Sequence, residues 1–97
     1  VKIYGNMKKD IERVAICPGS GKSVIAEAVK KGADVLITGD IGHHDGIDAA
    51  AQGLAMIDAG HYGLEHIFVE DMAQYLNENL CGIKITGAPV IHPFQVV

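Results

Sequence analysis

Short apolar segments alternate with glycine-containing turns and amphipathic segments along this chain, and this alternation limits the possible folds more than any other feature. It predicts strands over residues 13–17, 34–38, 55–58 and 83–86, and helices over residues 22–31, 45–52 and 62–79. Strands that alternate with helices are typical of an α/β fold with a mostly parallel sheet. The strands lack alternating polar residues, which indicates that helices cover both faces of the sheet.

The two ends of the chain carry weaker signals. Residues 3–4 predict a short extended segment. The tail over residues 89–97 is a candidate edge strand, because an edge can accommodate Pro93 but the centre of a sheet cannot. A length of 97 residues predicts a single α/β domain over residues 1–97.

Charge and composition disfavour several kinds of partner. A formal net charge of -4 disfavours a nucleic-acid partner, since such proteins neutralise phosphates with basic residues. No apolar run is long enough to span a bilayer and the first residues lack a signal-peptide pattern, so we expect no membrane partner and a cytoplasmic location. Cys17 and Cys81 are too far apart in the sequence to form a metal knuckle or a redox pair.

Three loops that follow predicted strands carry most of the reactive side chains. These loops are residues 17–23, 38–45 and 58–61. Because ligands bind beyond the carboxyl ends of the strands in an open parallel sheet, we expect the three loops to meet at one edge. The sequence therefore predicts a functional site there.

His61 and Glu65 are the strongest candidate pair within this site. If the third helix has begun by Tyr62, the two residues project from neighbouring turns of one helix face. An imidazole and a carboxylate at this spacing can chelate one divalent cation or bridge two. The alternative is structural, with Glu65 favoured by the helix dipole and His61 hydrogen-bonded to the backbone of a turn.

The other two loops carry weaker candidates. His44 and Asp48 repeat the four-residue spacing, but Asp45 is equally suited to be the N-cap of the second helix, which leaves His44 a half-exposed loop residue. The run over residues 19–23 resembles a P-loop but has Ile16 where the first glycine is needed. This run therefore predicts either a helix cap or an anion site on free backbone amides.

Two motifs together resemble a known family. They are Thr38-Gly39-Asp40-Ile41 followed by His44, and Ile57-Asp58-Ala59-Gly60-His61-Tyr62 followed by Glu65. In this combination the chain resembles the C-terminal half of the NGG-interacting-factor-three-like proteins. These proteins also carry the names dinuclear metal-centre hexameric protein and type 2 GTP cyclohydrolase I. The likeness extends from Cys17 to Phe94.

The resemblance implies a two-metal site. In the family, the histidine and glutamate of the second motif ligate a pair of divalent metals, which implies His61 and Glu65 as metal ligands here. It also implies that His44 lines the same cavity, where it would act catalytically as a proton shuttle or a hydrogen-bond donor to substrate. Zinc, iron, manganese, cobalt and nickel all suit nitrogen and carboxylate ligands, so the ligands do not distinguish the metal.

The resemblance also implies that the site is incomplete in this chain. The family's other ligands, a His-His pair and an Asp, belong to an N-terminal half that this chain lacks, so that half is expected to supply them. Family members assemble as hexamers, which implies a homo-oligomer. Pro18 stands where the family commonly has a glycine, which stiffens the first loop.

Three functions are open at this point. The first is the metal-binding domain of a dinuclear metal-dependent hydrolase-like protein, for which metal binding depends on His61. The second is a non-catalytic metal-binding or assembly module, which forms oligomers but hydrolyses nothing. The third is an α/β fold with an anion site at residues 19–21, for which phosphate binding survives chelation and is lost in Lys22→Ala.

Overall fold

A four-stranded mixed sheet organises the first part of the chain. The computed structural model describes residues 1–6 and 8–97, which form two compact units, Val1–Glu65 and His66–Val97. The strands are β1 Lys2–Tyr4, β2 Val14–Ser20, β3 Val35–Gly39 and β4 Ala55–Asp58. Their order in space is β1-β4-β3-β2, with β2, β3 and β4 parallel and β1 antiparallel to β4. The predicted α/β fold with a mostly parallel sheet is confirmed.

Two helices join the parallel strands close to the predicted places. A 3-10 turn at Gly21–Val24 leads into α1, Ile25–Lys30, so the continuous helix predicted over residues 22–31 is wrong at its start. The next helix, α2, spans His43–Ala51 and begins two residues before the predicted position. Both differences concern the first turn of a helix, where 3-10 geometry is frequent and boundaries are least regular.

The helix predicted over residues 62–79 is divided into two. The first part is α3, His61–Glu65, and the second is α4, Ile67–Asn79. At the start of α4 the amide of Val69 donates to the carbonyl of His66 at 3.1 Å, a turn of 3-10 type. No helix within residues 1–6 and 8–97 has both the length and the apolar character needed to cross a bilayer.

The core joins the two crossover helices to one face of the sheet. Leu36 of β3 lies opposite Met56 of β4, and both are almost fully buried. Ala28 of α1 and Ala49 of α2 belong to the same buried cluster. Alanines at these contacts let the helices approach the sheet closely, which fixes where the strands and their following loops lie.

The predicted fourth strand over residues 83–86 is wrong, and so is the candidate edge strand in the tail. Within the described part of the chain, residues 80–97 form no strand. The strand next to β4 is β1, in which Lys2 lies opposite Asp58 and Tyr4 opposite Met56. A run of four residues with apolar alternation does not specify its partner, so the pattern alone does not identify a strand.

Candidate metal centre

The carboxyl ends of β2, β3 and β4 meet at one edge of the sheet. Ser20 of β2 lies opposite Gly39 of β3, and Thr38 of β3 lies opposite Asp58 of β4. Just beyond the strands, the amide of Ala59 donates to the carbonyl of Thr38 at 2.8 Å. The loops that follow the three strands therefore share this edge, as the strand directions predict.

His61, the first residue of α3, lies between two carboxylates. Its Nδ1 is 3.0 Å from Oδ2 of Asp40, in the loop after β3, and its Nε2 is 3.2 Å from Oε1 of Glu65. The side chains are about half exposed, at 51% for His61, 58% for Asp40 and 48% for Glu65. The His61–Glu65 pair therefore projects from one helix face into space that solvent and a ligand can reach.

A buried carboxylate, Asp58, connects the two loops that carry Asp40 and His61. Its Oδ1 accepts hydrogen bonds from the amides of Asp40 and Gly60, each at 3.0 Å. Its Oδ2 accepts a third from the amide of Ile41 at 3.1 Å. Asp58 is only 2% exposed, so these charge-assisted bonds form in a region of low dielectric where they are strong.

The charge of Asp58 is balanced by Lys2 of β1, whose Nζ is 2.9 Å from Oδ2. Burial by itself would raise the pKa of Asp58. The hydrogen bonds from Lys2, Gly60 and Ile41, together with the positive charge of Lys2, outweigh burial and hold the pKa of Asp58 below its ordinary value. The hydrogen bond to Asp58 in turn raises the pKa of Lys2. Asp58 is therefore ionised at neutral pH.

Gly19, near the end of β2, has no side chain to press against the His61–Glu65 pair. Its φ is +71°, and a Cβ atom there would lie 3.1 Å from Oε1 of Glu65 and 3.4 Å from Nε2 of His61. The hydroxyl of Thr38 donates to the Gly19 carbonyl at 3.2 Å and holds the loop in this position. Any side chain at residue 19 would crowd the two atoms that are best placed to bind a cation.

The donor atoms of the pair suit a divalent cation. Imidazole nitrogen and carboxylate oxygen bind such an ion at about 2.0–2.2 Å, so adjacent donors on one ion lie roughly 3.0–3.4 Å apart. The 3.2 Å between Nε2 of His61 and Oε1 of Glu65 falls within this range. Among residues 1–6 and 8–97, no group of three or more His, Cys, Asp or Glu side chains is arranged to hold an ion. A catalytic zinc typically has three protein ligands, so two donors make a partial site.

The sequence matches one protein-family model over almost its whole length. The model describes Duf34/NIF3 (NGG1p interacting factor 3) and matches residues 1–92. The chain belongs to this family. The family suggested by the two sequence motifs is therefore confirmed.

Individual relatives agree with membership of the Duf34/NIF3 family. A protein of Streptococcus pneumoniae named GTP cyclohydrolase 1 type 2 homolog is 51% identical over 73 residues, which are 75% of this chain and 27% of the relative. A hypothetical protein of Staphylococcus aureus has a crystal structure that matches with a TM-score of 0.85 and 35% identity, over 99% of this chain and 33% of that one. A Bacillus cereus protein described as related to NIF3 matches with a TM-score of 0.78 and 27% identity, over 99% of this chain and 28% of that one. This chain thus spans about a third or less of their length.

The second candidate cluster of this Duf34/NIF3 chain lies in the first turn of α2. The N-cap of α2 is Gly42, so the alternative that makes Asp45 the N-cap is wrong. Asp45 lies instead within the first turn and pairs with Lys22 at 3.1 Å. His44 is exposed, and its ring is edge-on to that of His43 with the centroids 5.4 Å apart. The catalytic role of His44 stays a prediction.

Three polar groups around the candidate site of this Duf34/NIF3 chain have roles that the sequence analysis does not identify. They are Asp40 beside His61, Asp58 beneath both loops, and Lys2 beside Asp58. Asp58 did carry a signal, because a carboxylate that ends an apolar strand is well placed to accept hydrogen bonds from the next turn. Lys2 carried no such signal, since its partner Asp58 is far from it in the sequence, although β1 and β4 are neighbours in the sheet.

Proposed function

We propose that this chain is the metal-binding domain of a dinuclear, metal-dependent, hydrolase-like protein, with His61 and Glu65 as metal ligands. The observation that carries the proposal is the 3.2 Å separation of Nε2 and Oε1, beside Gly19, which places no side chain against them. Membership of the Duf34/NIF3 family supports it. The name GTP cyclohydrolase 1 type 2 homolog, carried by the Streptococcus pneumoniae relative, supports a hydrolytic reaction.

In this proposal the residues of the chain bind and orient, and one of them moves a proton. His61 and Glu65 hold their donor atoms on neighbouring turns of α3, so little conformational freedom is lost on binding. A divalent cation held by His61 and Glu65 would supply positive charge, which would polarise a substrate oxygen and lower the pKa of a water molecule. His44, in the first turn of α2, is the candidate group that passes a proton to or from substrate.

The two donors of this chain require further ligands from elsewhere. We infer that these come from another segment of a longer polypeptide or from another subunit of a homo-oligomer. The proportion of the relatives that this chain covers, 27% of one and 33% of another, is consistent with a larger ligand set. Zinc, iron, manganese, cobalt and nickel all fit nitrogen and carboxylate ligands.

A non-catalytic metal-binding or assembly module is the second candidate. The observation that favours it is the pair of donors itself, since one imidazole and one carboxylate can anchor an ion between subunits without activating water. Both candidates predict metal binding at His61 and Glu65. They differ in turnover, and GTP is the first substrate to assay because of the name of the Streptococcus pneumoniae relative.

Zinc titration by calorimetry tests the metal ligands. After chelator treatment, the protein is expected to bind Zn²⁺ with an affinity that falls by about 100-fold or more in His61→Ala and in Glu65→Gln, because a lost ligand costs more than a lost outer partner. His92→Ala is the matched control, since it removes an exposed histidine from the tail. Equal affinities in the wild type and His61→Ala would contradict the proposal.

Turnover then separates the two candidates. GTP hydrolysis is measured in the metal-loaded protein and in His44→Gln, which keeps a polar side chain but cannot shuttle a proton. The hydrolase-like function predicts turnover in the wild type, with a lower rate and an unchanged zinc affinity in His44→Gln. Zinc binding that depends on His61 without hydrolysis of GTP or of generic phosphoesters favours the non-catalytic module.

A further inference from the structure

Asp40 combines three features that a surface loop residue does not need. Its φ is +53°, in the left-handed region that few residues other than glycine adopt. Its amide donates to Oδ1 of the buried Asp58 at 3.0 Å. Its carboxylate lies 3.0 Å from Nδ1 of His61. An unusual backbone conformation, a buried anchor and a contact with a candidate ligand therefore coincide at one residue.

The tautomer of His61 decides whether Nε2 can bind a cation. A neutral imidazole carries one proton, on Nδ1 or on Nε2, and only the unprotonated nitrogen has a lone pair for a metal. Asp40 favours the proton on Nδ1, where its carboxylate can accept it. Glu65 favours the proton on Nε2, which lies 3.2 Å from its Oε1. The two carboxylates therefore compete for the same proton.

We propose that Asp40 is a positioning residue that holds His61 in the Nδ1–H tautomer and turns Nε2 towards the cation, an inference that rests on the proposed metal-binding function. The contact between Asp40 and Nδ1 is the shorter of the two contacts to the ring. A carboxylate that accepts the second N–H of a histidine is a common means of orienting a metal ligand and raising its basicity.

The place of Asp40 in the loop supports a role through His61 rather than as a ligand. Its carboxylate contacts Nδ1 and that of Glu65 contacts Nε2, so the two carboxylates lie at different edges of the ring. Asp58 holds the backbone of Asp40 and that of Gly60 through the same oxygen. Residue 40 and the residue before His61 are thus held in a fixed relation, which a tautomer-setting contact requires.

NMR spectroscopy of the ¹⁵N-labelled protein measures the tautomer directly, without metal and at a pH where the imidazoles are neutral. In Asp40→Ala the ratio of Nδ1–H to Nε2–H in His61 is expected to fall by about tenfold, because a charge-assisted hydrogen bond is lost. Asp40→Asn keeps an acceptor oxygen and is expected to lower the ratio by about threefold. Asp48→Asn, an exposed carboxylate on α2, is the matched control and keeps the wild-type ratio.

Zinc affinity is the second readout, and it is expected to fall by about 10–100-fold in Asp40→Ala. The inference is overturned if both Asp40 variants keep the wild-type tautomer ratio, or if the ratio shifts while zinc affinity stays constant. Should Asp40→Ala fail to fold, Asp40→Asn decides by the same two measurements. Equal zinc binding by the wild type and His61→Ala would instead reject the proposed function, and a shifted tautomer would still support the effect of Asp40 on His61.

Discussion

Asp58 receives hydrogen bonds from three parts of the chain: β1, the loop after β3 and the loop after β4. Three of its partners are backbone amides, those of Asp40, Ile41 and Gly60, and the fourth is Lys2. Hydrogen bonds to a charged group contribute about 1.5–3 kcal/mol each. The side chain of Lys2 is 65% exposed, so solvent screening limits its contribution to about 1 kcal/mol or less. The amides therefore dominate the stabilisation of this edge of the sheet.

This distribution of hydrogen bonds predicts that replacing Asp58 and replacing Lys2 lower the free energy of unfolding by different amounts. Asp58→Asn is expected to lower the free energy of unfolding by about 2–4 kcal/mol, because the new amide group presents N–H to backbone N–H donors in a buried place. Lys2→Met is expected to cost less than about 1 kcal/mol. Urea unfolding at neutral pH measures both. A larger loss in Lys2→Met than in Asp58→Asn would contradict the dominance of the amides.

Comparison of the wild type with Asp58→Asn also predicts how stability changes with pH. The pKa of Asp58 in the folded chain lies below its ordinary value of 3.8. A carboxylate of this kind contributes stability that is present above its unfolded pKa and is lost as the pH falls through its folded pKa. The gap in unfolding free energy between the wild type and Asp58→Asn should therefore narrow below pH 3.8. A gap of constant size down to about pH 2 would reject this.

At the scale of elements, β3 and the turn before α3 pack backbone to backbone. A Cβ atom on Gly39 would lie 2.5 Å from the carbonyl carbon of Gly60 and from the amide nitrogen of His61. No change of side-chain conformation can relieve this overlap, since every atom that the Cβ would meet belongs to the backbone. The position of α3, and with it the direction of the His61–Glu65 pair, depends on the absence of a side chain at residue 39.

Gly39→Ala is therefore expected to displace α3 without replacing either proposed ligand, His61 or Glu65. We expect a loss of about 1–3 kcal/mol in the free energy of unfolding, as for overpacking elsewhere, together with a lower zinc affinity. Gly63→Ala within α3 is the matched control, because a Cβ there meets only the Cβ of Ala59 at 3.7 Å. Alanine is favoured over glycine in a helix by about 0.5–1 kcal/mol, so this control should be neutral or stabilising. Thermal unfolding and zinc calorimetry distinguish the two variants, and a Gly39→Ala protein of wild-type stability would contradict the contact.

The elements also show which parts of the fold and site a sequence can predict. The three parallel strands are apolar runs bounded by glycines, and His61 and Glu65 are a local pair, so short-range patterns suffice for both. The extended segment predicted over residues 3–4 is confirmed as part of β1, but its pairing with β4 depends on the rest of the sheet, since Lys2–Tyr4 is only three residues long. The sequence pattern does not predict the break between α3 and α4 at His66 either, because apolar residues continue on both sides of it. Contacts such as those of Asp40 with His61 and of Lys2 with Asp58 depend on strand order, which no local pattern specifies.

At the scale of the whole molecule, the number of ligands sets how tightly a metal can bind. In the proposed function, residues 1–6 and 8–97 supply two donors, His61 and Glu65, and the chain spans only 27% of the Streptococcus pneumoniae relative and 33% of the Staphylococcus aureus protein. Losing an outer-shell partner alone costs 10–100-fold in affinity, so losing a direct ligand should cost about 100-fold or more. If the proposed function holds for the Streptococcus pneumoniae relative as well, this chain alone is expected to bind Zn²⁺ at least about 100-fold more weakly than the full-length relative.

Thermal unfolding with and without Zn²⁺ measures this difference, because a ligand stabilises the folded state according to its concentration relative to Kd. Both proteins are measured at one zinc concentration, equal to the Kd of this chain. There the free energy of unfolding of this chain rises by about 0.4 kcal/mol, whereas that of a protein that binds 100-fold more tightly rises by about 2.7 kcal/mol. His61→Ala should abolish the small gain in this chain, and EDTA should abolish the gain in both proteins. If the Streptococcus pneumoniae relative gains no more than this chain at that concentration, the expected difference is absent, and further ligands come from residues of this chain, such as Asp40 or His44, or from a second copy. In that case light scattering with zinc separates the two sources, since only a shared ion makes the oligomeric state depend on metal.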